Sequence, residues 1–67
     1  MKAGYLNKFF LEERLKKNFS QRVFGNKLGI SSKTVSAIET GRLTPSFIIV
    51  NKFCEVFNYK IILKPQA

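Results

Sequence analysis

The chain has 67 residues, 45% of them hydrophobic and seven of them Phe, which is enough apolar bulk for one small globular domain spanning 1–67 and too much for a disordered chain. Twelve Lys and Arg against four acids give a formal charge of +8, so the expected partner is a polyanion, nucleic acid before an anionic membrane. With no His and a single Cys, a His/Cys zinc site, a histidine triad and an internal disulfide are all excluded; no enzyme activity, metal or cofactor is expected, and Cys54 reads as a small packed hydrophobe in a reducing cytoplasm.

Residues 1–4 are expected to be loose, and a first helix is expected over about Tyr5 to Lys17. Leu6, Phe10 and Leu15, with Arg14 beside them, form its stripe, and Phe9 and Leu11, surplus to it, either widen the core face or meet another element. Lys16, Lys17 and Asn18 suit the negative end of the helix dipole. Phe19 precedes Ser20 and is placed to pack back on the helix it introduces. Ser20 caps a second helix over Gln21–Leu28, where Phe24 and Leu28 lie four apart on one face. Gly25 inside it loses about 0.5–1 kcal/mol relative to alanine, which close approach of a neighbouring helix would offset.

Gly29 stops that helix in the place where φ turns positive. Ser31 caps a third helix over Ser32–Glu39, whose apolar stripe is Val35 and Ile38. Two short helices joined by a glycine-containing turn make a helix-turn-helix unit. The third helix, polar on its outer side in a very basic chain, is the candidate to enter a DNA major groove. Thr40 to Ser46 is punctuation, with Gly41 as a stop and Pro45 before a Ser46 cap.

A fourth helix is expected from Phe47 to Phe57, with Phe47, Val50, Phe53, Cys54 and Phe57 on its stripe. Ile48, Ile49 and Val56 fall partly outside that stripe, a second apolar face that asks for burial. Asn58 can end the helix in a left-handed conformation. Tyr59 to Lys64 then alternates with a period of two before Pro65, which reads as a strand over 58–65. A lone strand leaves its edges unpaired, so it pairs with the N-terminal residues or with its copy in another chain. A core this small gains from oligomerisation. The longest apolar run, Phe47–Val50, is far short of a membrane span, and the N-terminus lacks a signal-peptide core.

From Arg14 to about Phe57 the sequence resembles the Cro/CI-type (XRE) helix-turn-helix family. The resemblance is carried by Phe19-Ser20-Gln21, Lys27-Leu28-Gly29-Ile30-Ser31, Thr34-Val35-Ser36, Ile38-Glu39-Thr40-Gly41 and Pro45-Ser46. It implies a mainly α fold, a compact four- to five-helix bundle of the lambda-repressor type, and transcriptional control through double-stranded DNA. Phe57 to Pro65 is similar to the C-terminal strand of Hip-type antitoxins, in which two tails pair across a dimer axis. Gly25 stands where the Cro/CI-type family usually has alanine, Leu43 where polar or basic residues are common, and Ile48 and Ile49 where polar ones are frequent.

Carried over position by position, the resemblance implies base reading by Ser32, Lys33, Ser36 and Ala37. Lys33 is suited to guanine O6 and N7, the serines to several base edges, and Ala37 to a thymine methyl. It implies phosphate contacts from Gln21, Thr34, Thr40 and Arg42, and an ion pair between Arg14 and Glu39 that fixes the third helix against the first. Phe24, Leu28, Ile30, Val35 and Ile38 are core positions. Ile49, Val56, Tyr59, Ile61 and Leu63 form the expected dimer interface. The functional expectation is a cytoplasmic, nucleoid-associated repressor that binds a palindromic operator as a homodimer. The alternative is an antitoxin that binds a partner toxin and represses its own promoter. An RNA-binding or adaptor domain is disfavoured, because the aromatics fall in apolar stripes rather than on a polar stacking face.

Overall fold

The computed structural model describes residues 3–60. Four helices make up the architecture: α1 (Ala3–Lys16), α2 (Gln21–Leu28), α3 (Ser32–Glu39) and α4 (Phe47–Phe57). Residues 3 and 4 are already helical, so the first helix starts earlier than its apolar stripe indicates. Three serines begin the other helices. The Ser20 hydroxyl accepts the Val23 N–H at 3.1 Å, Ser31 accepts Thr34 N–H at 3.1 Å, and Ser46 accepts Ile49 N–H at 3.3 Å. Each satisfies a donor that the opening turn leaves without an intrahelical partner.

The core is largely aromatic. Phe10 of α1, Phe24 of α2 and Phe53 of α4 are fully buried. Phe10 stacks on Phe53 with centroids 4.7 Å apart, and Phe24 meets both rings edge-on at 6.2 Å. Such offset and edge contacts suit the ring quadrupole. Leu28, Val35 and Ile38 complete the buried set, with Phe19, Ile30, Val50 and Phe57 packed around it. Phe19 leans on the core with its ring 6.3 Å from Phe57, so it ties the α1–α2 junction to α4.

Two members of the expected stripes are on the outside. Leu15 is 56% exposed and Phe47 is 69% exposed. α1 is covered along the row through Phe10, on which Asn7, Glu13 and Arg14 lie at three- and four-residue spacing, and Leu15 falls off that row. Phe47 opens α4, before the helix reaches the core at Val50 and Phe53. Gly25 is needed for close approach, but to the turn rather than to a neighbouring helix: a Cβ there would lie 2.5 Å from the Ile30 carbonyl oxygen. Gly29 takes φ 74° at the end of α2, and Asn58 takes φ 62° at the end of α4.

Among the described residues there is no β-strand and no fifth helix. Tyr59 and Lys60, expected to open the strand, are not in one; the rest of it, with Ile61 and Leu63, lies outside the described residues. Tyr59 turns inward, stacking on Phe53 and meeting Phe9 edge-on, each with centroids 5.6 Å apart.

Candidate nucleic-acid interface

α3 rests its Val35 and Ile38 side on the core and turns the opposite side outward. Ser32 and Lys33 are exposed, and Ser36 and Ala37 are half-buried one turn further on. These four positions share one helix face by their spacing. The face therefore offers two hydroxyls, one ammonium and one methyl. Thr34 points elsewhere. Its hydroxyl lies 3.0 Å from the Ser31 hydroxyl and belongs to the N-terminal cap.

The exposed charges of the helix-turn-helix stretch have one sign. Between Ser20 and Ser46 the cations Arg22, Lys27, Lys33 and Arg42 are exposed, and Glu39 is the only acid in that stretch. Glu39 turns inward. Arg14 donates to it through Nε and through Nη2, the latter at 3.1 Å, and Gln21 Nε2 donates to the same carboxylate at 3.0 Å. Arg14 Nη1 also donates to the Phe19 carbonyl at 2.8 Å. One carboxylate thus joins the end of α3 to α1 and to the first turn of α2. The fork-shaped pairing of guanidinium and carboxylate holds direction as well as distance. Neutralised in this way, Glu39 places no free negative charge on the outer side of α3.

Beyond α3, Thr40 and Arg42 are brought together. The Thr40 hydroxyl donates to the Ser36 carbonyl at 2.9 Å, with Ala37 O at 3.3 Å, and accepts from Arg42 Nε at 3.2 Å. Arg42 is exposed beside the C-terminal end of α3. Lys27 covers the Phe19 ring at 5.0 Å from its centroid, its ammonium still at the surface.

Ile49 is half-buried against the core, while Val56 and Tyr59 keep substantial exposed area. Two polar residues of α1 carry weight that the apolar pattern does not reveal. Asn7 is only 3% exposed and donates through Nδ2 to the Ile38 carbonyl at 2.6 Å and the Leu43 carbonyl at 2.8 Å. Glu13 is 4% exposed and pairs with Lys17 at 2.9 Å and Lys16 at 3.3 Å. Lys17 above all holds the Glu13 carboxyl below its ordinary range; burial pushes the other way, and the Tyr59 hydroxyl and Lys16 add to the lowering. The readable signal was position: both residues lie three from Phe10, where an apolar side chain is the rule.

Among the described residues there is no cluster of metal-ligating side chains and no helix long and apolar enough to cross a membrane. The family model described as helix-turn-helix matches residues 11–63. The chain is also similar to the uncharacterized HTH-type transcriptional regulator YgzD of Bacillus subtilis (strain 168), with 36% identity over 50 residues, 75% of this chain and 76% of that one. No solved structure gives a significant match. A capped helix, a glycine turn and a second capped helix with a polar outer face sit within the matched stretch, and on that ground the chain belongs to the helix-turn-helix family of the XRE type.

Proposed function

We propose that this protein is a sequence-specific DNA-binding transcription regulator, a repressor that occupies a palindromic operator as a homodimer. One observation carries the reading: the outer face of α3 bears Ser32, Lys33 and Ser36 in a stretch whose exposed charges are all cations, while the one acid of that stretch is turned inward and neutralised. In the major groove Lys33 reads guanine O6 and N7, Ser32 and Ser36 pair with base edges, and Ala37 meets a thymine methyl. Arg42, Gln21, Thr34 and Thr40 face the phosphates and set register. Gln21 does so from the N-terminal turn of α2, where helix N–H groups also favour an anion.

A dimer places two copies of α3 in successive major grooves, with half-sites about one helical turn, roughly 34 Å, apart. Val56 and Tyr59, with Ile49 behind them and Ile61 and Leu63 following, form the contact between copies. The named relative, an HTH-type transcriptional regulator, supports regulation of transcription as the role.

The test is selection of bound sequences from random duplex DNA, followed by salt titration of the enriched site. Enrichment of a palindrome, with affinity falling steeply as salt rises, is the expected result, since each neutralised phosphate releases counterions. No enrichment, or an affinity that ignores salt, overturns the reading. Tight co-purification of a toxin encoded beside it favours an antitoxin.

A further inference from the structure

We propose that Asn7 is a positioning residue for the DNA-facing loop between α3 and α4. The inference rests on the reading of Thr40 and Arg42 as phosphate-side residues, and it adds what holds them. The carboxamide NH2 has two hydrogens. Both are used: one on Ile38 O in the last turn of α3, the other on Leu43 O just past Arg42. The segment between those carbonyls is Glu39, Thr40, Gly41 and Arg42. Asn7 therefore closes the two ends of the loop with a single buried group anchored on α1.

The rest of the loop depends on that closure. Arg42 N–H and Leu43 N–H both donate to Ala37 O, at 2.9 and 3.1 Å. Thr40, hydrogen-bonded back onto α3, holds Arg42 Nε. These bonds run from the loop to α3 and leave the loop free to tilt with the helix end. Past Glu39, Asn7 to Leu43 O is the one hydrogen bond among the described residues that joins this loop to α1. Glu39, at the other side of the same helix end, is held to α1 by Arg14. Asn7 and Arg14, two turns apart on α1, thus fix both the C-terminal end of α3 and the loop that follows.

Asn7→Leu keeps the branched shape and removes both donors; Asn7→Ala, which adds neither bulk nor charge, carries the same tests where the leucine variant does not fold. Amide hydrogen exchange comes first, because it needs no DNA. Exchange at Arg42 and Leu43 is expected to quicken about tenfold or more while the interior of α2 keeps its protection. Affinity for the selected operator is expected to fall about tenfold, with the salt slope falling toward that of Arg42→Ala. In the double variant, removing Arg42 is expected to cost much less than it does in the parent chain, the mark of coupled residues. Unchanged exchange at Arg42 and Leu43 overturns the proposal. So does strict additivity with Arg42→Ala, which assigns Asn7 to stability alone. If the parent chain binds no duplex, the DNA reading fails and the positioning role falls with it; faster loop exchange in that same case separates this failure from absence of the clamp.

Discussion

Gly25 sets the tightest constraint on a single side chain. The backbone of the α2–α3 turn closes over it, with Ile30 O at 2.5 Å and Ser31 carbonyl atoms at 3.3 Å from where a Cβ would stand. These are backbone atoms, so no side chain can swing aside. Gly25→Ala gains about 0.5–1 kcal/mol of helix propensity and loses about 1–3 kcal/mol to overpacking. A net loss of up to about 2.5 kcal/mol is expected, and a thermal melt checks it, since each kcal/mol shifts Tm by about 4–8 °C in a domain this small. Glu13 gives a second test, in pH. Its folded pKa lies below the ordinary 4.5, so the unfolded chain binds its proton more readily than the folded one. The resulting stability is present above pH 4.5 and is lost as pH falls through the lowered folded value. Urea melts of Glu13→Gln and the parent chain are expected to differ at pH 7 and to converge once pH falls below the lowered folded value; a gap that persists in strong acid would mean that packing, not charge, is what Glu13 contributes.

At the level of the helices, α3 is placed by a polar network as much as by its short apolar stripe. Val35 and Ile38 supply only two buried side chains. The Glu39 carboxylate, held by Arg14 and Gln21, fixes the helix end, and both partners of the ion pair are largely shielded from water. Removing one partner from such a pair leaves an uncompensated charge, at about 3–5 kcal/mol. Arg14→Ala is therefore expected to lower stability far more than it lowers phosphate attraction, and Arg14→Met with Glu39→Leu together to recover part of the loss. Denaturant melts of the two single variants and the double decide this. The same helices show what can be read from sequence and what cannot. Ser20, Ser31 and Ser46, each ahead of a helical spacing of apolar residues, mark helix starts, because capping is local chemistry. The ends at Gly29 and Asn58 are equally local. Leu15 and Phe47 sit on expected inward stripes yet face outward, because spacing alone does not say which side of a helix meets a neighbour. Asn7 and Glu13 escaped notice for the opposite reason. A polar side chain on a stripe reads as solvated until the carbonyls or lysines that satisfy it are known, and those lie far along the chain for Asn7.

For the molecule as a whole, one α3 offers four candidate base-facing positions, enough to read only a few base pairs. Each correct pair contributes about 1–3 kcal/mol of discrimination. In the proposed dimer, two copies on one duplex would double that reading and would cover an apolar surface that one chain leaves bare. Val56 keeps 37% of its area exposed on α4, beside a Tyr59 ring that packs on Phe9 and Phe53. Val56→Glu changes little inside the chain but sets two carboxylates face to face across a twofold axis, where every contact is repeated. Sedimentation is expected to show self-association moving to higher protein concentration, with the helical spectrum unchanged. Affinity for a single half-site is expected to stay within about twofold of the parent chain, while affinity for the full palindrome drops by roughly tenfold or more as the linked second contact is lost. If the variant and the parent sediment alike and bind the palindrome equally, the contact between copies does not run through this end of α4.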